Sequence, residues 1–297
     1  MSRLGMAPIG WLNGDRPEIS AHISVDQCLS EVREIGFEGV ELCAGMPTGI
    51  DTLRAKLDQH GLRLISGWYP GELTRRSVAQ EKDAIADQLA LFKALGAPVM
   101  VFAETAGSVQ SEDVPVSTRP RLSDDAWSDY GRKVTEMAEW LAEQGVPMGF
   151  HHHMGTAVES EADIDNLMNH TGEAVKLLLD TGHAHFAGAD IDGVARRWAH
   201  RINHVHVKDV RPQVLADFRA RDRSFLDGVL DGVFTVPGDG CIDYVSVFRI
   251  LADAGYDGWV MIEAEQDPKK ADPKTYSRLG MRHALDSAEK AGFALGL

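Results

Sequence analysis

Four short apolar runs in the second half of this chain end in imidazoles and carboxylates: Gly149-Phe-His151-His-His153, Leu-Leu-Asp180-Thr-Gly-His183, His204-Val-His206-Val-Lys208-Asp209 and Met-Ile-Glu263-Ala-Glu265. Ionisable groups placed among Leu, Val and Ile are costly unless they are paired, hydrogen-bonded or bound to a cation. A divalent metal is the simplest common partner. A mixed His, Asp and Glu set without cysteine suits Mn²⁺, Co²⁺, Zn²⁺ or Fe²⁺ better than an all-oxygen Ca²⁺ cage. Side chains alternate along a strand, so His151 and His153 share one face and His152 takes the other, as packing or support. Each residue also has an ordinary structural role open to it. Asp180 could cap the following turn, His206 could be a core histidine bonded to a carbonyl, and Glu263 could be a buried partner for Lys208. Their convergence on adjacent strands favours a shared site.

Positioning four such ends together requires parallel strands. Eight apolar runs are present, Arg3–Trp11, Gly39–Cys43, Arg63–Tyr69, Pro98–Glu104, Pro147–His153, Lys176–His183, Ile202–Asp209 and Trp259–Glu265, and each is followed by a helical pattern. The helical patterns are Val25–Ile35, Thr52–His60, Gln80–Leu95, Asp124–Glu143, Glu161–Asn169, Asp192–His200, Tyr244–Ala254 and Thr275–Ala291. Gly36, Gly61, Gly96, Gly145 and Gly255 fall between helix and strand, where a left-handed cap is expected. Gly36-Phe-Glu-Gly39 and Gly255-Tyr-Asp-Gly258 are near copies, as expected of recurring units. The pattern predicts a single α/β (β/α)8 barrel over residues 1–297, with long irregular βα loops near 105–122 and 211–242. Active sites of such barrels lie at the C-terminal strand ends. The remaining ends would bring Trp11, Glu41, Trp68 and Glu104 to the far side of the same mouth. Aromatic faces pack against C–H surfaces and carboxylates accept from hydroxyls, which suits a polyhydroxylated ring. For the two tryptophans, ordinary core is the alternative.

Composition narrows the field. There are 45 acidic and 30 basic residues, a net charge of −15, so phosphate backbones are repelled and nucleic acid is not an expected partner. No apolar run approaches the ~18 residues of a membrane span. Polar residues 13–16 interrupt the N-terminal region before a secretory apolar segment develops, and Cys28, Cys43 and Cys241 form no C-x-x-C. A cytoplasmic protein with reduced, buried thiols is expected. Gly238-Asp-Gly240 reads as a tight turn, since it neither opens a helix nor has a basic neighbour as a phosphate loop would. No G-x-S-x-G, G-x-G-x-x-G or G-x-x-x-x-G-K-[ST] motif occurs.

The D-x-x-H ending strand six, the H-V-H-x-K-D of strand seven and the acidic end of strand eight resemble the xylose-isomerase-like metal-dependent barrels. Within them the chain resembles the inosose dehydratases of myo-inositol catabolism. The long segments Ile202-Asn-His-Val-His206-Val-Lys-Asp-Val-Arg-Pro212 and Phe234-Thr-Val-Pro-Gly-Asp-Gly-Cys-Ile-Asp243 carry the likeness, with Ala7–Trp11, Phe150–Thr156, Leu179–His183, Ser224–Asp227 and Glu263–Pro268 in support.

That resemblance implies conversion of 2-keto-myo-inositol to 3D-trihydroxycyclohexane-1,2-dione through a metal-stabilised enediolate. It implies Mn²⁺ or Co²⁺ as cofactor and glutathione as a further one. It places metal ligands at Asp180, His206 and Glu263. The related isomerases and epimerases put a glutamate on strand five where this chain has His151, which either replaces it as the fourth ligand or binds substrate. Lys208, His183, Glu265 and His153 are the candidate acids and bases. A metal-dependent ketose epimerase or isomerase is the alternative activity, and a homo-oligomer fits other barrels of this kind.

Overall fold

The computed structural model describes residues 1–297. Eight parallel strands form the barrel: β1 (Ser2–Met6), β2 (Gly39–Leu42), β3 (Arg63–Gly71), β4 (Met100–Glu104), β5 (Met148–His151), β6 (Lys176–Asp180), β7 (Ile202–Val207) and β8 (Trp259–Ile262). Each pairs with its sequence neighbour, and β1 closes the sheet on β8 in the register Arg3 to Trp259 through Met6 to Ile262. The eight strands therefore close on themselves with their C-terminal ends at one mouth, and a two-residue strand, Leu295–Gly296, adds in parallel to the start of β1.

The outer layer comprises α1 (Val25–Ile35), α2 (Ile50–His60), α3 (Val78–Leu95), α4 (Asp124–Glu143), α5 (Glu161–Asn169), α6 (Thr181–Ala187), α7 (Ile191–Trp198), α8 (Pro212–Arg221), α9 (Phe225–Asp231), α10 (Tyr244–Asp253) and α11 (Pro273–Ala291). The five junction glycines all have positive φ. Gly61 and Gly96 are left-handed C-caps whose N–H groups return to the last turn, which is why a residue without Cβ recurs there. One apolar cluster of 59 buried residues fills the space between sheet and helices.

Several expected boundaries move: the fifth, seventh and eighth strands stop at His151, Val207 and Ile262, so His153, Lys208, Glu263 and Glu265 lie just beyond them. The first strand stops at Met6, because Pro8 cannot donate to a ladder and opens a 3₁₀ turn at Pro8–Gly10. The sixth stops at Asp180, whose side chain accepts from the His183 N–H at 2.8 Å and starts α6. The stretch 211–242 is not irregular. It holds α8 and α9, and a short antiparallel pairing of Asp209–Val210 with Phe234–Thr235 flanks them. This insertion has its own ten-residue apolar cluster, including Phe186, Phe218, Phe225 and Phe234. Residues 105–122 are irregular except for a 3₁₀ turn at Val116–Thr118.

The three cysteines are free, but only Cys28 is buried; Cys43 is half-buried and Cys241 is exposed. Asp209 anchors the turn at 238–242 by accepting from the N–H groups of Gly238, Cys241 and Ile242. No helix is long and apolar enough to cross a membrane.

Candidate active site

A cavity of about 440 Å³ opens at the mouth of the barrel. Of the strand-end residues, Glu41, Trp68, His151, His153, His206, Glu263 and Glu265 line it. Alternation explains the set, since Glu41, His151 and His206 sit at inward positions of β2, β5 and β7. Trp68 stands edge-on to His151 and His153, with ring centroids 5.4 and 5.1 Å apart.

On one flank, His151, Asp180, His206 and Glu263 bring one ligating atom each to within 4.8 Å of one another, all buried. His151 Nδ1 donates to the His152 carbonyl at 2.7 Å, so its Nε2 is bare and lies 3.6 Å from Asp180 Oδ2. His206 Nε2 donates to Glu41 Oε1 at 3.0 Å, and its Nδ1 faces Glu263 Oε2 and, at 3.5 Å, Asp180 Oδ2. Asp180 Oδ2, His206 Nδ1 and Glu263 Oε2 are buried without a hydrogen-bond partner. Two carboxylates and two imidazoles converge here beside the Lys208 ammonium, 3.3 Å from Asp180 Oδ2, and a bound cation would satisfy the atoms left without a hydrogen bond. Two imidazole nitrogens and two carboxylates are a donor set that fits Mn²⁺, Co²⁺, Zn²⁺ or Fe²⁺.

Charge is arranged around this quartet. Burial alone would raise Asp180, but the Lys208 ammonium and His183 hold it well below the usual carboxylate range. Burial pushes His151 well down and keeps it neutral, as a ligand must be. Burial works against a charged His206 too, yet Glu41 and Glu263 push it well up. A bound cation would take the place of that proton at Nδ1. His152, on the opposite face, accepts from the Asp180 N–H at 3.2 Å, and burial moves it down to about 4.

The second flank holds the candidate acids and bases, and it divides in two. His153 and Glu265 reach the cavity, with Nε2 and Oε1 3.6 Å apart. His153 Nδ1 is fixed on the Met154 carbonyl at 2.8 Å. Lys208 and His183 stand behind them, fully buried and outside the cavity wall. The Lys208 ammonium donates to His183 Nε2 at 2.9 Å and Glu265 Oε2 at 3.0 Å, and lies 3.3 Å from Asp180 Oδ2. Burial disfavours its charge, but Asp180, Glu263 and Glu265 together raise it above an ordinary lysine. Glu265 is conversely held down: burial raises it, and Lys208 and His153 outweigh that. Phe225 and Phe234 of the insertion cover His183, and the Phe234 ring centroid is 5.0 Å from the Lys208 ammonium.

Two expected wall residues are elsewhere. Trp11 is fully buried core, its indole N–H donating to Glu31 at 2.6 Å, because the chain has already left the barrel at Ala7. Glu104 lies on the outward face of β4, one position out of step with Val101, which lines the cavity. There it accepts from Thr74 Oγ1 and from the N–H groups of Thr74 and Ala106, and burial raises its carboxyl to about 7.

Loops supply what strand ends could not reveal. Asp15, Gln110, Met46 and Thr48 complete the wall. Ser111 donates to Asp15 at 3.0 Å and Arg16 pairs with Asp113, so the 13–16 and 108–113 segments clasp each other. Burial and the nearby Glu265 raise the Asp15 carboxyl. Gly155 seats the second segment: its φ is +78°, and a Cβ would lie 2.8 Å from the Gln110 nitrogen.

The family model described as xylose isomerase-like TIM barrel matches residues 29–287. The rhizopine catabolism protein MocC of Rhizobium meliloti is 47% identical over 294 residues, covering 99% of this chain and 90% of that protein. An inosose dehydratase of Klebsiella pneumoniae subsp. pneumoniae is 37% identical over 291 residues, covering 96% and 97%. The solved structure of an L-ribulose 3-epimerase superposes with a TM-score of 0.70 at 19% identity, covering 98% and 96%, a likeness of fold alone.

Proposed function

The chain belongs to the xylose isomerase-like TIM barrel family, and from that premise we propose that it is a metal-dependent dehydratase of inositol catabolism, removing water from 2-keto-myo-inositol to give 3D-trihydroxycyclohexane-1,2-dione. The observation that carries the reading is the convergence of four metal-ligating atoms, from His151, His206 and Glu263 on the cavity wall and from the fully buried Asp180, beside a cavity-facing acid–base pair. Near-full-length identity to an inosose dehydratase supplies the substrate class.

His151, Asp180, His206 and Glu263 would hold the ion. A divalent ion there supplies a Lewis acid that polarises a ketone carbonyl and acidifies the adjacent carbon. Trp68 offers its face to the ring carbons beside His151 and His153. Glu265, kept ionised by Lys208, takes the α-proton at a carboxylate oxygen. His153, entering the step as the imidazolium with its Nδ1–H on the Met154 carbonyl, gives its Nε2 proton to the departing β-hydroxyl, which leaves as water. The proton on Glu265 then returns to His153 across the 3.6 Å separation, and both groups are restored. Lys208 and His183 hold Glu265 in place and touch no substrate atom.

A second reading rests on the 47% identity to a protein named for rhizopine catabolism, which would put the same site to work on that pathway's polyol. The test is product mass and ultraviolet absorbance after metal-stripped protein meets 2-keto-myo-inositol, with and without Mn²⁺ or Co²⁺, and with glutathione as a separate addition. Loss of one water with dione absorbance, only when metal is present, is the expected result. Unchanged mass with altered stereochemistry would replace dehydration by epimerisation. No reaction would turn attention to the second reading.

A further inference from the structure

Glu41 stands across the barrel from the quartet, and one of its oxygens gathers three buried donors. Oε1 accepts from Ser66 Oγ at 2.5 Å, His204 Nε2 at 2.7 Å and His206 Nε2 at 3.0 Å. All four residues are buried. Two of the donors sit on alternate residues of β7 and the third on β3, so the carboxylate ties together strands on opposite sides of the sheet. With Ser66, His204 and His206 all converging on Oε1, that oxygen serves as the acceptor for each of them.

An accepting partner at Nε2 dictates the rest of the ring. The proton of a neutral His206 must sit on Nε2, and the Nδ1 lone pair must point away from Glu41, toward Asp180 Oδ2 and Glu263 Oε2. His204 is tied in the same way and its Nδ1 is buried with no partner, so it has no competing use for the carboxylate. Ser66 spends its hydroxyl hydrogen on the same oxygen and holds it against β3.

We propose that Glu41 is a positioning residue for the metal centre. It forms a carboxylate–histidine–metal relay that fixes the Nε2–H tautomer and the ring plane of His206, raises the basicity of Nδ1, and thereby sets metal affinity. This rests on the metal-site reading above and gives Glu41 a role distinct from recognising substrate hydroxyls. Removal of outer-shell partners of this type generally weakens metal binding about 10–100-fold.

The test uses Zn²⁺ alone, with no substrate. Zn²⁺ affinity is measured by chelator competition for the wild type, Glu41→Gln and Glu41→Ala. The expected order is a 10–100-fold loss in the alanine variant, with partial rescue by glutamine, which keeps an acceptor but no charge. Long-range proton–nitrogen correlation on the Zn²⁺-loaded wild type, labelled at histidine nitrogens, is expected to show His206 protonated at Nε2. That reading needs no variant and survives any failure of one to fold. Equal affinity in all three proteins, or a His206 proton at Nδ1, overturns the relay and leaves the metal centre standing. Failure of the wild type to take up Zn²⁺ overturns both.

Discussion

Asp180 performs two tasks with two oxygens, and paired substitutions separate them. Oδ1 caps α6 by accepting from the His183 N–H at 2.8 Å, while Oδ2 faces the quartet, 3.3 Å from the Lys208 ammonium. Asp180→Asn keeps the capping oxygen and removes the charge; Asp180→Ala removes both. In metal-free protein the charge effect is nearly balanced. Lys208 loses one of three carboxylate neighbours, and a site crowded with carboxylates sheds one charge. Asparagine should therefore cost within about 1 kcal/mol, and alanine about 1 kcal/mol more, the usual worth of a cap. Metal reverses the emphasis. An ion at a hundred times its wild-type dissociation constant stabilises the wild type by about 2.7 kcal/mol, but a variant binding 100-fold more weakly by only about 0.4 kcal/mol. Urea denaturation in chelator and again in Co²⁺ measures both effects. Equal stability of the two variants in chelator would refute the cap, and retention of the Co²⁺ increment by either would refute ligation by Asp180.

Three further outcomes are expected. Glu265→Gln should lower kcat about 10²–10⁴-fold with Co²⁺ affinity within a few-fold of wild type, whereas Lys208→Met should cost about 3–5 kcal/mol in the metal-free protein by leaving buried carboxylates unpaired; turnover, metal titration and thermal melts distinguish them, and unchanged kcat in the first variant would remove Glu265 from the proton transfer. Glu104 binds its proton more tightly folded, at about 7, than at its ordinary 4.5, so its contribution to stability falls as pH rises through that interval, by about 3 kcal/mol. Glu104→Gln should flatten this fall between pH 5 and pH 8 in chemical denaturation, and an unaltered slope would remove Glu104 as its source. Gly155→Ala forces a side chain into positive φ against Gln110; it should cost about 1–3 kcal/mol and raise KM more than it lowers kcat, with an unchanged KM counting against Gln110 as part of the binding wall.

Local signals made the barrel readable. Apolar runs, helix patterns and glycine at each junction are all encoded within a few residues, and all eight strands and eight outer helices lie where those signals fall. Reading strand six on to His183 passes over Gly182, which together with the capping power of Asp180 marks the change to helix. Within 211–242 the signals existed, with proline at the first position of α8, apolar Val214, Leu215 and Phe218 on one side, and Ser224 accepting from the Asp227 N–H at the start of α9. Glu104 was misplaced by parity: a strand end points inward or outward according to one residue of register. Asp15 and Gln110 sit on loops with no periodicity, and the bond from His206 to Glu41 spans 165 residues, a distance that no local pattern encodes.

The seam between the first and last strands also governs when the site can come into being. Chain synthesis delivers residues 3–6 first and residues 259–262 nearly last, and those are the partners that close the barrel. Until then the two flanking strands expose unpaired backbone, the state in which sheets associate with the wrong neighbour. Glu263 directly follows that last strand, so the candidate quartet is complete only once the partner that closes the seam has been made. Packing along the whole chain is what brings these two ends together, so a chain cut short of residue 259 would leave β1 and β7 without the strand that joins them.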